Sequence, residues 1–368
     1  MMKSWDAETM RVKGNDIAKE SPGSLLLIQL GDIGDVVLTL PAVRALHEHF
    51  PGAVIVAAVR EKARDVMDDC PWVAEVLSIN EASRSPLDEI RYQWDFFARV
   101  RRFHFDLAVD VKAGNRSAIL ALLSGAKQRI GFYDRNGRLW QNRVFTHLVS
   151  PGGRPGRHMT EHYLGLMNAY GISTDRIWPE YHVPAERSRQ VQRLFTERGV
   201  SSDRPVIAVQ PFSLWKYKEW NAAKYVQLIN WLISDYNVSV VITGSAGERA
   251  RAEEILAHCP RNTCNLAGET SIGTLAAVLK SCSLFIGVDS AGIHIAAAVG
   301  IPTVGIFGPS SISDWAPRGP RHIMVYKDLP CLPCRNKGCD DSEVSRCLEE
   351  LTLDEVKNVV ARQMRGIA

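Results

Sequence analysis

The chain has 368 residues, 46% of them apolar, and its 44 Lys and Arg against 41 Asp and Glu leave a formal charge of only +3. That length accommodates two ordinary domains with substantial cores, and so small a charge excess argues against nucleic acid as a partner. No stretch supplies the roughly 20 uninterrupted apolar residues of a membrane span; the best candidate, residues 284–307, is broken by Asp289, His294 and Pro302.

Residues 1–23 mix charges with few apolar side chains and lack the hydrophobic centre of a secretory signal, so a flexible tail and a cytoplasmic protein are expected. Apolar runs of strand length follow at residues 25–30, 54–59, 76–79 and 107–111, separated by helical patterns at 36–49 and 87–103. The scheme repeats with strands at 206–210, 238–243, 284–287 and 303–307 and helices near 221–234, 246–258, 272–280 and 291–299. Alternation of this kind predicts an α/β protein of two Rossmann-like, doubly wound units with parallel sheets. The predicted boundaries are 24–190 and 200–350, with a joint around Pro184 and the Ser201-Ser202-Asp203-Arg204-Pro205 turn, and a terminal helix over 351–368. Ligands of such units bind outside the carboxyl ends of the strands, here in a crevice between the two.

The first chemistry-bearing segment is residues 31–41, GDIGDVVLTLP, directly after the first strand. Gly31 and Gly34 permit close approach of a ligand, but no third glycine completes the dinucleotide fingerprint, which disfavours a nicotinamide enzyme. Asp35 at that turn repels phosphate; it is either a helix cap or a general base facing a substrate hydroxyl. In the second half, the strand at 206–210 feeds a loop carrying Lys216 and Lys218, suited to a diphosphate, with Lys218 the preferred contact. Gly244 and Glu248 lie on a further strand-to-helix turn, which can equally be a plain βα connection. A fourth turn holds Asp289, Ser290, Ala291, Gly292 and His294, where a helix N-terminus can bind phosphate oxygens and Asp289 can orient a sugar hydroxyl. Taken alone, His294 fits a packed core histidine better than a catalyst.

A basic belt of Arg116, Arg129, Arg135, Arg138, Arg143, Arg154, Arg157 and His158 lies in the first half, and two or three of these are expected to reach an acidic acceptor. Cys331, Cys334, Cys339 and Cys347 crowd one loop near the C-terminus. Four cysteines so close in a cytoplasmic chain fit structural zinc better than disulfides, although the spacing is not a paired CxxC arrangement; free thiols are the alternative.

The GDIGDVVLTLP run resembles the opening motif of the heptosyltransferase-type enzymes of glycosyltransferase family 9. Asn265-Leu266-Ala267-Gly268-Glu269-Thr270-Ser271, Asp289-Ser290-Ala291-Gly292-Ile293-His294 and Phe307-Gly308-Pro309 resemble that family's donor-domain signature in order and spacing. The resemblance implies a GT-B fold and an inverting, metal-independent sugar transfer with no required cofactor. ADP-heptose is the implied nucleotide-sugar donor and a lipid-linked or core oligosaccharide of lipopolysaccharide the acceptor. It casts Asp35 as general base, Lys218 with Lys216, Gly244, Glu248, Asp289, His294 and residues 290–292 as the donor side, and Gly34, Arg116, Arg135 and Arg157 as the acceptor side. The family often writes D-S-G-P-M-H where this chain has Ala291 and Gly292, which leaves the amide contacts open. The alternatives are a nucleotide-sugar epimerase on a similar fold and a non-catalytic nucleotide-sugar or glycan-binding protein. A lipid-linked acceptor further implies peripheral contact with the cytoplasmic face of the inner membrane, through the arginine belt or residues 94–105, although Trp94, Phe96, Phe97, Phe103 and Phe105 are expected to face the core.

Overall fold

A computed structural model describes residues 11–80, 85–134, 139–151, 156–201 and 203–366. The chain divides into two units, Met1–Pro179 and Glu180–Ala368. The division precedes the polar stretch at 183–204, because the helix Ala185–Glu197 packs against the helix Ile272–Lys280 of the second unit.

The first unit is built on strands β1 (Arg11–Lys13), β2 (Ser24–Gln29), β3 (Val54–Arg60), β4 (Glu75–Ile79), β5 (Leu107–Asp110), β6 (Gln128–Phe132) and β7 (His147–Val149). They lie in the order β1-β7-β6-β5-β2-β3-β4, parallel except for β1. Central strand β2 is an unbroken apolar run, Leu25, Leu26, Leu27 and Ile28, with no exposed surface, as a parallel strand covered on both faces requires. The second unit carries β8 (Val206–Gln210), β9 (Ser239–Ile242), β10 (Thr263–Asn265), β11 (Leu284–Val288), β12 (Thr303–Ile306) and β13 (His322–Val325), in the order β10-β9-β8-β11-β12-β13 and wholly parallel. Each sheet reverses its winding once, between β2 and β5 in the first unit and between β8 and β11 in the second, and ligands of open α/β sheets bind at such switch points.

Several expectations need correction. Residues 11–13 do not fray: they form the antiparallel edge strand, and Lys13 Nζ donates to Phe145 O at 2.7 Å. The helix expected over 36–49 is two helices, Ile33–Leu38 and Leu40–His49. Pro41 lacks the N–H that a continuous helix needs, and Thr39 at the break donates its hydroxyl to Asp35 O while accepting from Gln29 Nε2, each at 2.8 Å. Trp94 does not face the core; it is 74% exposed on the helix Pro86–Arg101, whereas Phe96 and Phe105 are buried. The period of 3.6 residues puts Trp94 on the side away from Phe96 and Val100. Strands β1, β6, β7, β10 and β13 carry no apolar run in the sequence, being short and interrupted by Arg, His, Gln or Asn.

Candidate active site

On the first unit, β2 is followed by Leu30 and Gly31, and the chain turns into the helix Ile33–Leu38. A Cβ on Gly31 would lie 2.5 Å from Asp35 Oδ2, so glycine is what allows the Asp35 carboxylate to fold back over the turn. Asp35 is 6% exposed. Its Oδ2 accepts from Asp32 N at 3.0 Å and from Lys112 Nζ at 2.9 Å, and its Oδ1 accepts from the Tyr163 hydroxyl at 2.7 Å. Burial first, then the neighbouring Asp35 charge and hydrogen bond, push the Tyr163 phenol well above its usual range, so it remains a neutral donor. Lys112 stands on the turn after β5, the strand next to β2. That turn is pinned by Asp110, whose Oδ1 accepts from Lys112 N and Ala113 N, each at 3.2 Å. Asp110 is wholly buried, and burial pushes its carboxyl up to about 6 against the opposing bonds from Ser117 and the two amides. Beside Lys112 lies a cavity of about 240 Å³ whose walls include Arg60, Asn115 and Arg116.

The two switch-point turns differ in how their helices begin. On the second unit, Lys218 closes the short turn Lys216–Lys218 after β8 and donates to Asp289 Oδ2 at 2.7 Å. Asp289 follows β11, is 5% exposed and precedes the helix Ala291–Ala298, which no side chain caps among the described residues. Gln210, at the end of β8, donates to Ser290 Oγ at 3.1 Å and accepts from Thr243 Oγ1 at 3.3 Å. A Cβ on Gly292 would lie 2.0 Å from Gln210 Oε1, so only glycine admits that brace.

The structure thus brings Asp35 together with Lys112 and Tyr163, and Lys218 with Asp289, Ser290, Ala291 and Gly292. Gly34 precedes Asp35 in the same helical turn, and Arg116 lines the cavity beside Lys112. Lys216 is exposed. Glu248 accepts from Ser245 N at 2.6 Å and lies against Gly244, closing its own turn. His294 is a buried helix residue whose ring lies 6.5 Å from that of Trp315. Arg157 donates to Glu161 O at 2.9 Å and lies against Gly165, while Arg129 donates to Val144 O and Ala126 O, so both hold local backbone. Arg135, Arg138 and Arg154 fall outside the described residues.

The structure gives no support to structural zinc at Cys331, Cys334, Cys339 and Cys347. Among the described residues no group of three or more His, Cys, Asp or Glu side chains is placed to hold a metal ion. All four are free cysteines, and burial pushes the Cys347 thiol up to about 11. Lys112 and Tyr163 were not among the expected site residues. Lys112 sits immediately past the carboxyl end of a predicted strand, a position the sequence marks; Tyr163 is 128 residues from Asp35, and no local pattern announces their contact.

Residues 93–344 match the family model of glycosyltransferase family 9 (heptosyltransferase). The chain is 26% identical over 313 residues to lipopolysaccharide heptosyltransferase 3 of Escherichia coli, spanning 83% of this chain and 90% of that one. It is 28% identical over 308 residues to lipopolysaccharide heptosyltransferase 2 of Escherichia coli strain K12, spanning 78% and 83%. Its fold is similar to E. coli ADP-heptose lps heptosyltransferase II, with a TM-score of 0.76 at 22% identity over 94% of this chain and 100% of that one. E. coli heptosyltransferase WaaC with ADP-2-deoxy-2-fluoro heptose matches with a TM-score of 0.66 at 18% identity over 92% and 99%. The α/β fold of two doubly wound units, the GT-B class expected from the sequence, is the fold of these enzymes.

Proposed function

Because this chain belongs to glycosyltransferase family 9, we propose that it transfers a heptosyl group from ADP-heptose to a hydroxyl of a lipopolysaccharide-core acceptor, inverting the anomeric carbon in one displacement. The acceptor oxygen forms the new bond to that carbon, the bond from the carbon to the diphosphate breaks, and the acceptor proton passes to Asp35. The observation that carries this assignment is the holding of the Asp35 carboxylate at the switch point of its sheet. A carboxylate offers about four acceptor positions; Tyr163, Lys112 and Asp32 N occupy three, and the next is open to a hydroxyl. A general base needs that hydrogen-bond reach and a fixed orientation.

Charge developing on the departing ADP falls to the second unit. Lys218 supplies an ammonium group, Asp289 holds it in place, and the uncapped amides at the start of the helix Ala291–Ala298 supply dipoles aimed at phosphate oxygens. These groups offset part of the charge building on the diphosphate, and the proposed transfer uses neither metal nor cofactor. Among the described residues no helix is long and apolar enough to cross a membrane. The proposed lipid-linked acceptor places the reaction at the cytoplasmic face of the inner membrane.

The test combines transfer with donor binding. Asp35→Asn is expected to abolish transfer while ADP-heptose still raises the melting temperature, because the base acts on the acceptor and a ligand of the folded state stabilises it. An Asp35→Asn enzyme that keeps most of its rate overturns the assignment. A wild type that responds to UDP-, GDP- or dTDP-sugars but not to ADP-heptose overturns the donor, and epimerised nucleotide-sugar formed without acceptor makes the protein an epimerase.

A further inference from the structure

Seven of the fourteen large apolar side chains exposed among the described residues lie on three helices of the first unit. Leu87, Ile90 and Trp94 are 80%, 57% and 74% exposed on Pro86–Arg101, and Ile119, Leu122 and Leu123 are 43%, 49% and 41% exposed on Asn115–Leu123. Trp140, 42% exposed, follows on Leu139–Val144, which packs beside Asn115–Leu123. The first two helices adjoin one another: Arg101 donates to Leu123 O at 3.4 Å, and a cavity of about 210 Å³ between them has Phe96, Phe97 and Ile119 in its walls.

Helical spacing sets Leu87, Ile90, Arg91, Trp94 and Arg101 on one stripe of the first helix, while Asp88 and Asp95 fall to one flank of it. Arg116 on the helix Asn115–Leu123, Lys127 shortly after it and Arg143 on Leu139–Val144 are exposed cations. Single exposed apolar residues are ordinary, but a contiguous group marks an interaction surface. Its chemistry is that of a bilayer interface: tryptophan and branched aliphatic side chains to enter the acyl boundary, and arginines whose apolar stems lie along it with their heads at anionic phosphates. Ile79 and Arg116 are shared between the walls of this cavity and of the one containing Lys112, so the surface borders the side of the unit that holds Asp35.

We infer that the face formed by the helices Pro86–Arg101, Asn115–Leu123 and Leu139–Val144 docks the enzyme on an anionic phospholipid bilayer. The proposed acceptor supplies the purpose of this contact; the contact itself is measured without substrate. The full chain is floated with phosphatidylcholine vesicles containing or lacking phosphatidylglycerol. Wild type is expected to float with the anionic vesicles, and the double variant Trp94→Asp, Leu123→Asp to partition about tenfold less. Arg91→Glu with Lys127→Glu is expected to weaken binding several-fold at low salt and little at high salt. Wild type that stays in solution with anionic vesicles, or an apolar variant that floats as well as wild type, overturns the inference. Sedimentation showing a dimer that the apolar substitutions dissociate makes the occupant a second copy and also overturns it. Transfer to a delipidated core oligosaccharide is measured in parallel: the apolar variant is expected to retain it. A wild type that floats but transfers nothing defeats the proposed reaction and leaves the docking face standing.

Discussion

The turn after β2 and the turn after β11 begin alike: each follows a central strand at the switch point of its sheet, places a carboxylate on the turn, and pairs it with a lysine from the loop after the adjacent strand. Asp35 pairs with Lys112 at 2.9 Å and Asp289 with Lys218 at 2.7 Å. They diverge at the helix that follows. Asp35 lies inside the first turn of its helix and reaches back to Asp32 N, so its own negative charge closes that helix end to phosphate. Asp289 lies ahead of the helix Ala291–Ala298, and among the described residues no side chain caps that helix end. In the proposed reaction, the place of the carboxylate relative to the helix start separates a site for a neutral hydroxyl from a site for a diphosphate, because a carboxylate inside the first turn already occupies the positive end of the helix dipole.

The largest expected effect falls on the base. Asp35→Ala should lower kcat by about 1,000-fold or more, with the melting-temperature rise on ADP-heptose preserved; a loss of donor binding instead would erase the distinction between the two turns. Next come the paired lysines. Lys218→Ala should lower turnover by about 100-fold and remove the ADP-dependent thermal shift, whereas Lys112→Ala should leave that shift intact and act on acceptor turnover alone. Equal loss of ADP binding in both variants would show that the turns do not divide the substrates.

Tyr163→Phe removes one charge-assisted hydrogen bond to Asp35, which is worth about 1.5–3 kcal/mol, so kcat should fall by about 10- to 100-fold with the KM for donor unchanged. A rate equal to wild type would mean that Lys112 and Asp32 N alone orient the carboxylate. His162 stacks on Phe132 nearby, and burial pushes it down to about 4, so it stays neutral near pH 7 and no rate change there should vanish in His162→Gln.

The last effect, on stability rather than on rate, concerns the buried support of Lys112. Asp110 is raised from 3.8 to about 6, so the folded protein holds that proton more tightly than the unfolded chain. Stability from this residue is therefore fully present below about pH 4 and declines as pH rises to about 6. Denaturant titrations of wild type and Asp110→Asn should show a stability difference that shifts in favour of the variant by on the order of 3 kcal/mol between those limits. A difference that does not vary with pH would mean that Asp110 is not proton-linked to folding.

Much of the first turn was legible in the chain: an apolar strand, two glycines and an acid before a helical pattern announce Asp35 by local spacing alone. The Asp289 turn was legible for the same reason. The partners were less so. Lys112 could be noticed only as the residue past a strand end, and Tyr163 not at all, since a buried tyrosine on an amphipathic helix looks like core until the helix Met159–Asn168 docks beside the turn. The arginine belt was the least legible feature, because charge count cannot tell a guanidinium that meets a ligand from one that holds backbone, as Arg129 and Arg157 do with carbonyl oxygens of their own unit.

The sequence by itself determined the parallel α/β class, the positions of the central strands and the two carboxylate-bearing turns, because hydrophobic periodicity and glycine placement act between near neighbours. Tertiary structure alone decided which cations and hydroxyls meet those carboxylates and that Trp94 faces outward. Each of these depends on distances between segments far apart in the chain, which strand order and helix docking set.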